Sequence, residues 1–326
     1  MILKTNKVGK TDVSVTSLSL GGSAFGNMGG EVSDAAVKDV IEHAWSAGIR
    51  YFDTAPHYGR GLSEQRMGAV LKHKPRDAFV LSSKVGRVLS PGVQVAEADG
   101  YINPLPNAVR YDYSADGIME SFETSCERIG TSRIDIVFAH DIGSYTHPDP
   151  QVAARHLDDL LGSGIGALRK LKQDGRIGAI GLGVNESQIC IDVMQHEVLD
   201  VILLAGRLTL LDRQAEGGLL DACAKQGTSL VMAGIYNSGI LATGPKPGAW
   251  FDYAPASQDI LDRVAVLEEQ AKAVGLTLAQ AALQFALRHP AACTVMLGTG
   301  EAELLQRNLD TANMTLSDAA KAFVTT

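Results

Sequence analysis

Eight short, strongly apolar runs recur along the chain, and a stretch with helical periodicity follows each of them. Three of the runs, IDIVFAH, VILLAG and SLVMAG, are apolar at almost every position, which is typical of parallel strands covered on both faces. Strand–helix alternation repeated eight times favours an α/β fold of the (β/α)8 TIM-barrel type over an open sheet. The predicted strands cover residues 18–22, 51–54, 79–85, 134–140, 179–184, 201–206, 229–234 and 293–298.

Several predicted helices have recognisable ends. Ser33 is the expected N-cap of the first helix and Gly48 its stop, because apolar residues recur with the 3.6-residue period between them. Ser114 opens a second helix that Gly130 closes, and residues 258–274 form a third that also ends at a glycine. These signals place helices between the predicted strands.

The first residues depart from the alternation. Residues 3–7 and 12–16 flank a Gly-Lys pair, which predicts a β-hairpin in front of the first barrel strand. Two connections are unusually long, residues 86–113 and 237–257. Both follow strands, so we expect them at the carboxyl-terminal face, where barrel enzymes hold their active sites.

Composition narrows the classes of partner. The 326 residues carry a formal net charge of -8 with no basic stripe, which argues against a nucleic-acid partner. No apolar run reaches the length of about 18 residues that spans a bilayer, and the amino terminus lacks a signal-peptide pattern. The four cysteines are scattered without a CxxC motif, as in reduced proteins. We therefore expect one cytoplasmic domain, residues 1–326, acting on a small molecule; the oligomeric state is left open.

Four polar residues lie at or just beyond the ends of predicted strands. Asp53 ends YFD, Lys84 ends LSSK, His140 ends IVFAH, and Tyr58 lies in the loop TAPHYGRG. In a parallel barrel all four would face one mouth. Hydride transfer to a carbonyl needs a proton donor beside the developing alkoxide, and the reverse reaction needs a base there.

These residue types form a consistent proton relay. A neighbouring lysine ammonium is expected to lower the pKa of a tyrosine, and an aspartate keeps that lysine charged and in place. A histidine orients or polarises the substrate oxygen. The eight histidines contain no HxH or HExxH pair, so no metal is expected and a metal-dependent hydrolase is excluded.

Four segments closely resemble the aldo-keto reductase superfamily. They are AGIRYFDTAPHYGRGLSE at 47–64, LSSKVG at 81–86, ERIGTSRIDIVFAHD at 127–141 and GRIGAIGLGVNES at 175–187, and the likeness runs from about residue 3 to 308. The resemblance implies that Asp53, Tyr58, Lys84 and His140 occupy the catalytic tetrad of the family. These are the same four residues that the ends of the predicted strands bring together.

The resemblance also implies a nicotinamide dinucleotide cofactor. Asn185 matches the asparagine near the carboxamide, residues 233–241 match the loop around the pyrophosphate, and residues 297–310 match the adenosine end. The implied cofactor contacts are Gly22, Ser23, Asp53, Asn185, Arg207, Gly234, Ile235, Tyr236, Asn237, Gly239, Leu241, Gly298, Thr299, Gly300, Glu303 and Asn308.

Two positions depart from the family pattern. Gly300 stands where the family often has an arginine that grips the 2′-phosphate of NADP, which favours NAD unless a residue such as Arg307 compensates. Leu208 stands where the family usually stacks an aromatic ring on the nicotinamide. NAD is therefore the preferred cofactor, with NADP kept as the alternative.

The segments FAHD, RYDYSADGIMESFE and YNSGILATG are similar to a subgroup of the family. It contains NAD(P)-linked sugar 1-dehydrogenases for L-fucose and related D-threo-aldoses, together with pyridoxal 4-dehydrogenases. Both oxidise a cyclic hemiacetal to a lactone. The expected substrate contacts are Phe25, His57, Tyr58, His140 and Trp250. Two alternatives stay open: an NADPH-linked reductase of aldehydes or ketones, and a binding protein that retains the barrel without turnover.

Overall fold

Eight parallel strands close into a barrel in the computed structural model, which describes residues 3–325. Each barrel strand pairs with the next one in the chain, and the last pairs with the first. With all strands of the protein numbered in chain order, the barrel strands are β3 (Leu18–Gly21), β4 (Tyr51–Asp53), β5 (Val80–Val85), β10 (Ile136–His140), β11 (Ala179–Val184), β12 (Val201–Ala205), β13 (Ser229–Ala233) and β16 (Ala292–Gly298).

The TIM-barrel prediction is confirmed, and all eight predicted strands are present with ends that move by at most two residues. The largest shift is at β10, which begins at Ile136 rather than at residue 134. Ile136 is the first residue that pairs with both neighbours, facing Ser82 of β5 and Ala179 of β11. Pairing register sets this boundary, and an apolar run does not reveal it.

Helices surround the barrel. They are α1 Asp34–Ser46, α2 Leu62–Leu71, α3 Ala115–Ile129, α4 Pro150–Asp159, α5 Ile165–Gln173, α6 Ser187–Met194, α7 Leu219–Gln226, α8 Ile240–Thr243, α9 Gln258–Ala273, α10 Leu278–Arg288, α11 Ala302–Asn313 and α12 Asp318–Thr325. The predicted N-caps of α1 and α3 are confirmed, since Ser33 Oγ accepts from the Ala36 amide and Ser114 Oγ from the Gly117 amide. Gly130 ends α3 in a left-handed conformation, as expected.

The apolar core has two layers. One lies between the barrel and its helices, and the other fills the barrel interior with side chains such as Tyr51, Ile136 and Phe138. The predicted hairpin is present as β1 (Thr5–Lys7) and β2 (Ser14–Thr16). Val8 and Val15, both fully buried, join the interior layer, so the hairpin plugs the end of the barrel opposite the strand carboxyl termini.

The two long connections are more ordered than the sequence indicates. Residues 86–113 contain the pair β6 (Arg87–Pro91) and β9 (Asn107–Tyr111), and within it the pair β7 (Glu97–Ala98) and β8 (Tyr101–Ile102). Residues 237–257 contain α8 and the short hairpin β14 (Trp250–Phe251) and β15 (Ala254–Pro255). In the part of the chain that the structure describes, no helix is long and apolar enough to cross a membrane. All four cysteines are free and buried.

Candidate active site

The four predicted catalytic side chains meet at the carboxyl ends of the strands. Asp53 ends β4, Lys84 lies near the end of β5, His140 ends β10, and Tyr58 lies in the loop after β4. Lys84 Nζ donates to Asp53 Oδ2 at 2.6 Å, to Tyr58 Oη at 3.0 Å and to the backbone oxygen of Thr54 at 3.0 Å. An ammonium has three N–H donors, so these contacts saturate it and fix its position.

The Lys84–Asp53 ion pair lies deep in the protein. Each side chain is only 1% exposed, and Ser82 Oγ donates to the second carboxylate oxygen of Asp53 at 2.6 Å. Burial raises the pKa of Asp53, while the charge and hydrogen bond of Lys84 oppose that rise. Removing either partner would leave an unpaired buried charge, which costs about 3–5 kcal/mol. The pair is therefore a rigid base for Tyr58.

The ionisation of Tyr58 corrects the expectation that Lys84 lowers its pKa. Burial, and after it the negative charge of Asp53, raise the pKa of Tyr58 well above the ordinary value. The pKa is raised even though Lys84 Nζ lies 3.0 Å away, because burying a phenolate beside the Asp53 carboxylate is costly. Tyr58 is thus protonated at neutral pH and is ready to donate its proton.

Two histidines flank Tyr58. The ring of His140 lies edge-on to the Tyr58 ring at a centroid distance of 6.1 Å, and the ring of His57 lies 5.8 Å from that of His140. Burial, and then the charge of Arg87, lower the pKa of both histidines well below the ordinary value. Both are therefore neutral and act as hydrogen-bonding groups rather than as charges.

One continuous cavity of about 1790 Å³ opens over these side chains and extends to α11. Its volume exceeds the usual range of about 300–1,000 Å³ for small-molecule pockets, so it has room for a dinucleotide and a substrate together. The predicted residues that line it are Ser23, Asp53, His57, Tyr58, Lys84, His140, Asn185, Gly234, Ile235, Tyr236, Asn237, Gly239, Trp250, Gly298, Thr299 and Asn308.

Other predicted residues lie outside the cavity wall. Phe25, an expected substrate contact, is fully buried and packs into the core. Leu208 and Leu241 are core residues as well. Gly22 is turned into the protein, since its amide donates to the Asp53 backbone oxygen and an added Cβ would lie 2.6 Å from Ser63 Oγ. An apolar loop residue has the same sequence signature whether it faces a core or a cavity.

Three further predicted cofactor contacts also lie outside the wall. Arg207 is buried and directs its guanidinium at both carboxylate oxygens of Asp252, 2.7 and 2.9 Å away. Gly300 faces a neighbouring side chain, since an added Cβ would lie 2.7 Å from Val32 Cγ2. Glu303 is exposed on the first turn of α11. Arg207 therefore anchors a loop, and Gly300 and Glu303 are only sequence neighbours of the lining residues Thr299 and Leu304.

The loop after β13 is the one that the sequence predicts to hold the pyrophosphate of a dinucleotide. Gly234, Asn237, Ser238 and Gly239 all have positive φ angles, of 60°, 45°, 57° and 96°. The loop closes on itself, since the Asn237 and Gly239 amides donate to the Gly234 and Tyr236 oxygens at 2.9 and 3.0 Å. This tight turn brings the backbone of residues 234–239, here called the cradle, to the cavity wall. Only glycine fits at 234, because a Cβ there would lie 2.9 Å from the Gly206 backbone nitrogen.

Sequence patterns missed several side chains that line the cavity. Some belong to the inserted hairpins or lie next to predicted residues, and others lie in other loops or on α9: Met28, Arg87, Tyr101, Asp141, Tyr145, Tyr253 and Glu268. Arg87 follows the LSSKVG segment, and Asp141 ends FAHD. Both signals were visible in the sequence, whereas the approach of Tyr101 and Tyr253 depends on hairpins that have no local signature.

A family model for the aldo/keto reductase family matches residues 17–323. The chain belongs to the aldo-keto reductase family. It is 40% identical to a pyridoxal 4-dehydrogenase of Microbacterium luteolum, over 93% of this chain and 91% of the relative. It is 36% identical to a D-threo-aldose 1-dehydrogenase of a Pseudomonas species, over 92% of this chain and 90% of the relative.

Solved structures show the same fold. An aldo-keto reductase from Bacillus halodurans, in its holo form, matches with a TM-score of 0.77 and 24% identity over 99% of this chain and 95% of that one. The protein is thus an NAD(P)-dependent oxidoreductase of the aldo-keto reductase family. The cradle at 234–239 and the long cavity are consistent with such a cofactor.

Proposed function

We propose that this aldo-keto reductase oxidises the hemiacetal C1 of a small aldose such as L-fucose to the lactone, with NAD as the preferred cofactor. The observation that carries the proposal is the Tyr58 hydroxyl, held 3.0 Å from Lys84 Nζ at the floor of the cavity. The 36% identity to a D-threo-aldose 1-dehydrogenase supports the substrate class.

The roles of the side chains follow from their geometry. Oxidation removes a hydride from C1 and a proton from its hydroxyl, which leaves the lactone carbonyl. A bound nicotinamide supplies the hydride acceptor, with Asn185 and the 234–239 cradle holding the cofactor. Tyr58 Oη exchanges the hydroxyl proton, Lys84 and Asp53 hold Tyr58 in place, and His140 contacts the same substrate oxygen.

The preference for NAD rests on charge at the far end of the cavity. Glu268 and Asp310 line that end and would disfavour the 2′-phosphate of NADP. Gly300 adds no cation there. Arg307 lines the same end and is the one side chain in this group that favours the phosphate. Two carboxylates and one guanidinium give this end a net negative charge, which favours NAD over NADP.

A second candidate is the oxidation of pyridoxal to 4-pyridoxolactone. The 40% identity to a pyridoxal 4-dehydrogenase supports it. So do three aromatic side chains on the cavity wall, Tyr145, Trp250 and Tyr253, since flat rings suit a pyridine. The chemistry at Tyr58 is the same for both substrates.

Initial rates of NADH formation test the proposal. Purified protein is given NAD with L-fucose, D-arabinose or pyridoxal, and NADP is run in parallel. We expect turnover of the sugars with NAD, and at least about tenfold lower kcat/KM with NADP. Turnover of pyridoxal alone would move the assignment to the second candidate. NADPH consumption on simple aldehydes, with no oxidation of any hemiacetal, would contradict both and leave a reductase.

A further inference from the structure

A buried ion pair outside the tetrad opens onto the catalytic end of the cavity. Arg87 is the first residue of β6, and Asp141 directly follows His140. Arg87 Nη2 donates to Asp141 Oδ2 at 2.5 Å, and their side chains are 6% and 14% exposed. Both line the cavity beside Tyr58. The mechanism at Tyr58 uses neither of them.

Arg87 also fixes the tautomer of His57. Its Nη1 donates to His57 Nδ1 at 3.2 Å. Because a guanidinium has only donors, Nδ1 must be the bare nitrogen of a neutral imidazole, and Nε2 carries the hydrogen. His57 therefore presents an N–H donor, and within residues 3–325 no acceptor is paired with it.

Asp141 presents the complementary acceptor. Its Oδ2 accepts from Arg87 and lies 3.3 Å from His140 Nε2, whereas Oδ1 has no hydrogen-bond partner among the described residues. The backbone holds it there in a left-handed conformation with φ of 48°. The Asp141 amide donates to the Gly183 oxygen at 2.9 Å, and Tyr113 Oη donates to the His140 oxygen at 2.6 Å. Strain maintained in this way is typical of functional sites.

Unpaired buried polar atoms surround the same point. Arg87 Nε, His140 Nδ1 and Tyr101 Oη are buried and have no hydrogen-bond partner in the described structure. The ring of Tyr101 lies 5.2 Å from that of His57 and 6.2 Å from that of Tyr58. Buried polar groups are usually satisfied, so this concentration of exceptions is typical of a functional site rather than of a packed core.

We propose that His57, Arg87 and Asp141 form a specificity subsite that holds two adjacent hydroxyl groups of the substrate. This inference rests on the proposed aldose oxidation. One hydroxyl donates to Asp141 Oδ1 and the next accepts from His57 Nε2, while Arg87 holds both protein groups in place. A vicinal diol matches this donor–acceptor order, and the pyridine ring of pyridoxal has no such pair. The subsite therefore selects sugars.

The first test uses the unmodified enzyme. Initial rates with NAD are compared for L-fucose and for its 2-deoxy and 3-deoxy analogues. We expect at least one analogue to lose about tenfold or more in kcat/KM, because the subsite groups then stay unpaired. Equal rates on all three sugars would overturn the subsite. No oxidation of any aldose would first overturn the proposed function, and the subsite with it.

The second test uses two matched variants. Asp141→Asn keeps the size of the side chain and suits a left-handed backbone, but it removes the charge. Asp135→Asn is the control: Asp135 is also 14% exposed and lies 2.7 Å from an arginine, Arg76, at the opposite end of the same strand. The measurements are kcat/KM on L-fucose and on the sensitive deoxy analogue, the dissociation constant of NADH, and the melting temperature.

We expect Asp141→Asn to lose about tenfold or more in kcat/KM on L-fucose, mainly through KM, and less than about threefold on the deoxy analogue. NADH binding stays unchanged, and the Asp135→Asn control keeps the wild-type kcat/KM on both sugars and the wild-type NADH affinity. Equal losses of Asp141→Asn on both sugars would show a structural role and overturn the proposal. If Asp141→Asn does not fold, the comparison of sugars on the unmodified enzyme decides.

Discussion

At the scale of single residues, the ionisation of Tyr58 decides the direction in which the site works most easily. The hydroxyl is protonated at neutral pH because burial and Asp53 raise its pKa. Reduction uses that proton directly, whereas oxidation needs the phenolate, whose fraction grows tenfold per pH unit below the pKa. Oxidation is therefore expected to accelerate with pH.

Replacing Tyr58 by phenylalanine removes the oxygen that we propose exchanges the proton and keeps the ring. We expect Tyr58→Phe to lower kcat by about 100-fold to 10,000-fold, with no comparable change in the dissociation constant of NADH. In the wild type, kcat/KM for oxidation should rise steadily between pH 7 and pH 10. Steady-state rates and NADH fluorescence titration measure both quantities. A variant that retains wild-type turnover, or a wild-type profile flat across that range, would remove Tyr58 from the proton transfer.

At the scale of elements, the barrel was predictable and the inserted hairpins were not. Parallel strands such as β12 are apolar on both faces, so the run of apolar residues alone predicts the strand, whichever strands it pairs with. The hairpin β14–β15 has two residues in each strand, too few to show a period. Phe25 and Tyr101 show the consequence: both are aromatic residues in connections that follow barrel strands, yet only Tyr101 lines the cavity.

The hairpin residues 250–255, here called the strap, cross the cavity and are held at both sides. Asp252 binds Arg207, and the Tyr253 amide donates to Ser238 Oγ at 2.9 Å in the cofactor cradle. Across the cavity, Asn185 Nδ2 lies 3.4 Å from Tyr253 Oη. We therefore expect a cofactor in the cradle to lie beneath the strap and its release to require the strap to open.

Weakening the Arg207 anchor tests this arrangement. We expect Asp252→Asn to raise the dissociation rate of NADH about fivefold to twentyfold, because a charge-assisted contact to a buried guanidinium is lost. Stopped-flow displacement of NADH measures the rate. Asp318→Asn, which removes a fully exposed carboxylate paired with Lys321 on α12, serves as the control and should release NADH at the wild-type rate. An unchanged rate in Asp252→Asn would mean that the strap does not gate release.

At the scale of the whole molecule, buried neutral histidines make the fold sensitive to acid. His147, 5% exposed, contacts the tilted ring of His156 at a centroid distance of 4.5 Å, and its Nε2 lies 3.3 Å from Tyr113 Oη. Burial, followed by the charges of His156 and Arg87, lowers the pKa of His147 to about 4 from 6.5. Above pH 6.5 this histidine is neutral in both the folded and the unfolded chain, so it does not lower the free energy of unfolding there.

As pH falls from about 6.5 to 4, the unfolded chain takes up a proton at residue 147 that the folded chain does not. This single group then removes about 3 kcal/mol from the free energy of unfolding. We expect urea midpoints to fall over that pH window, and His147→Gln to lose less stability across it than the wild type, even though it starts less stable at pH 7. The exposed His73→Gln is the control and should keep the wild-type slope. A His147→Gln slope equal to that of the wild type would assign the acid sensitivity to other buried groups, His57 and His140 first among them.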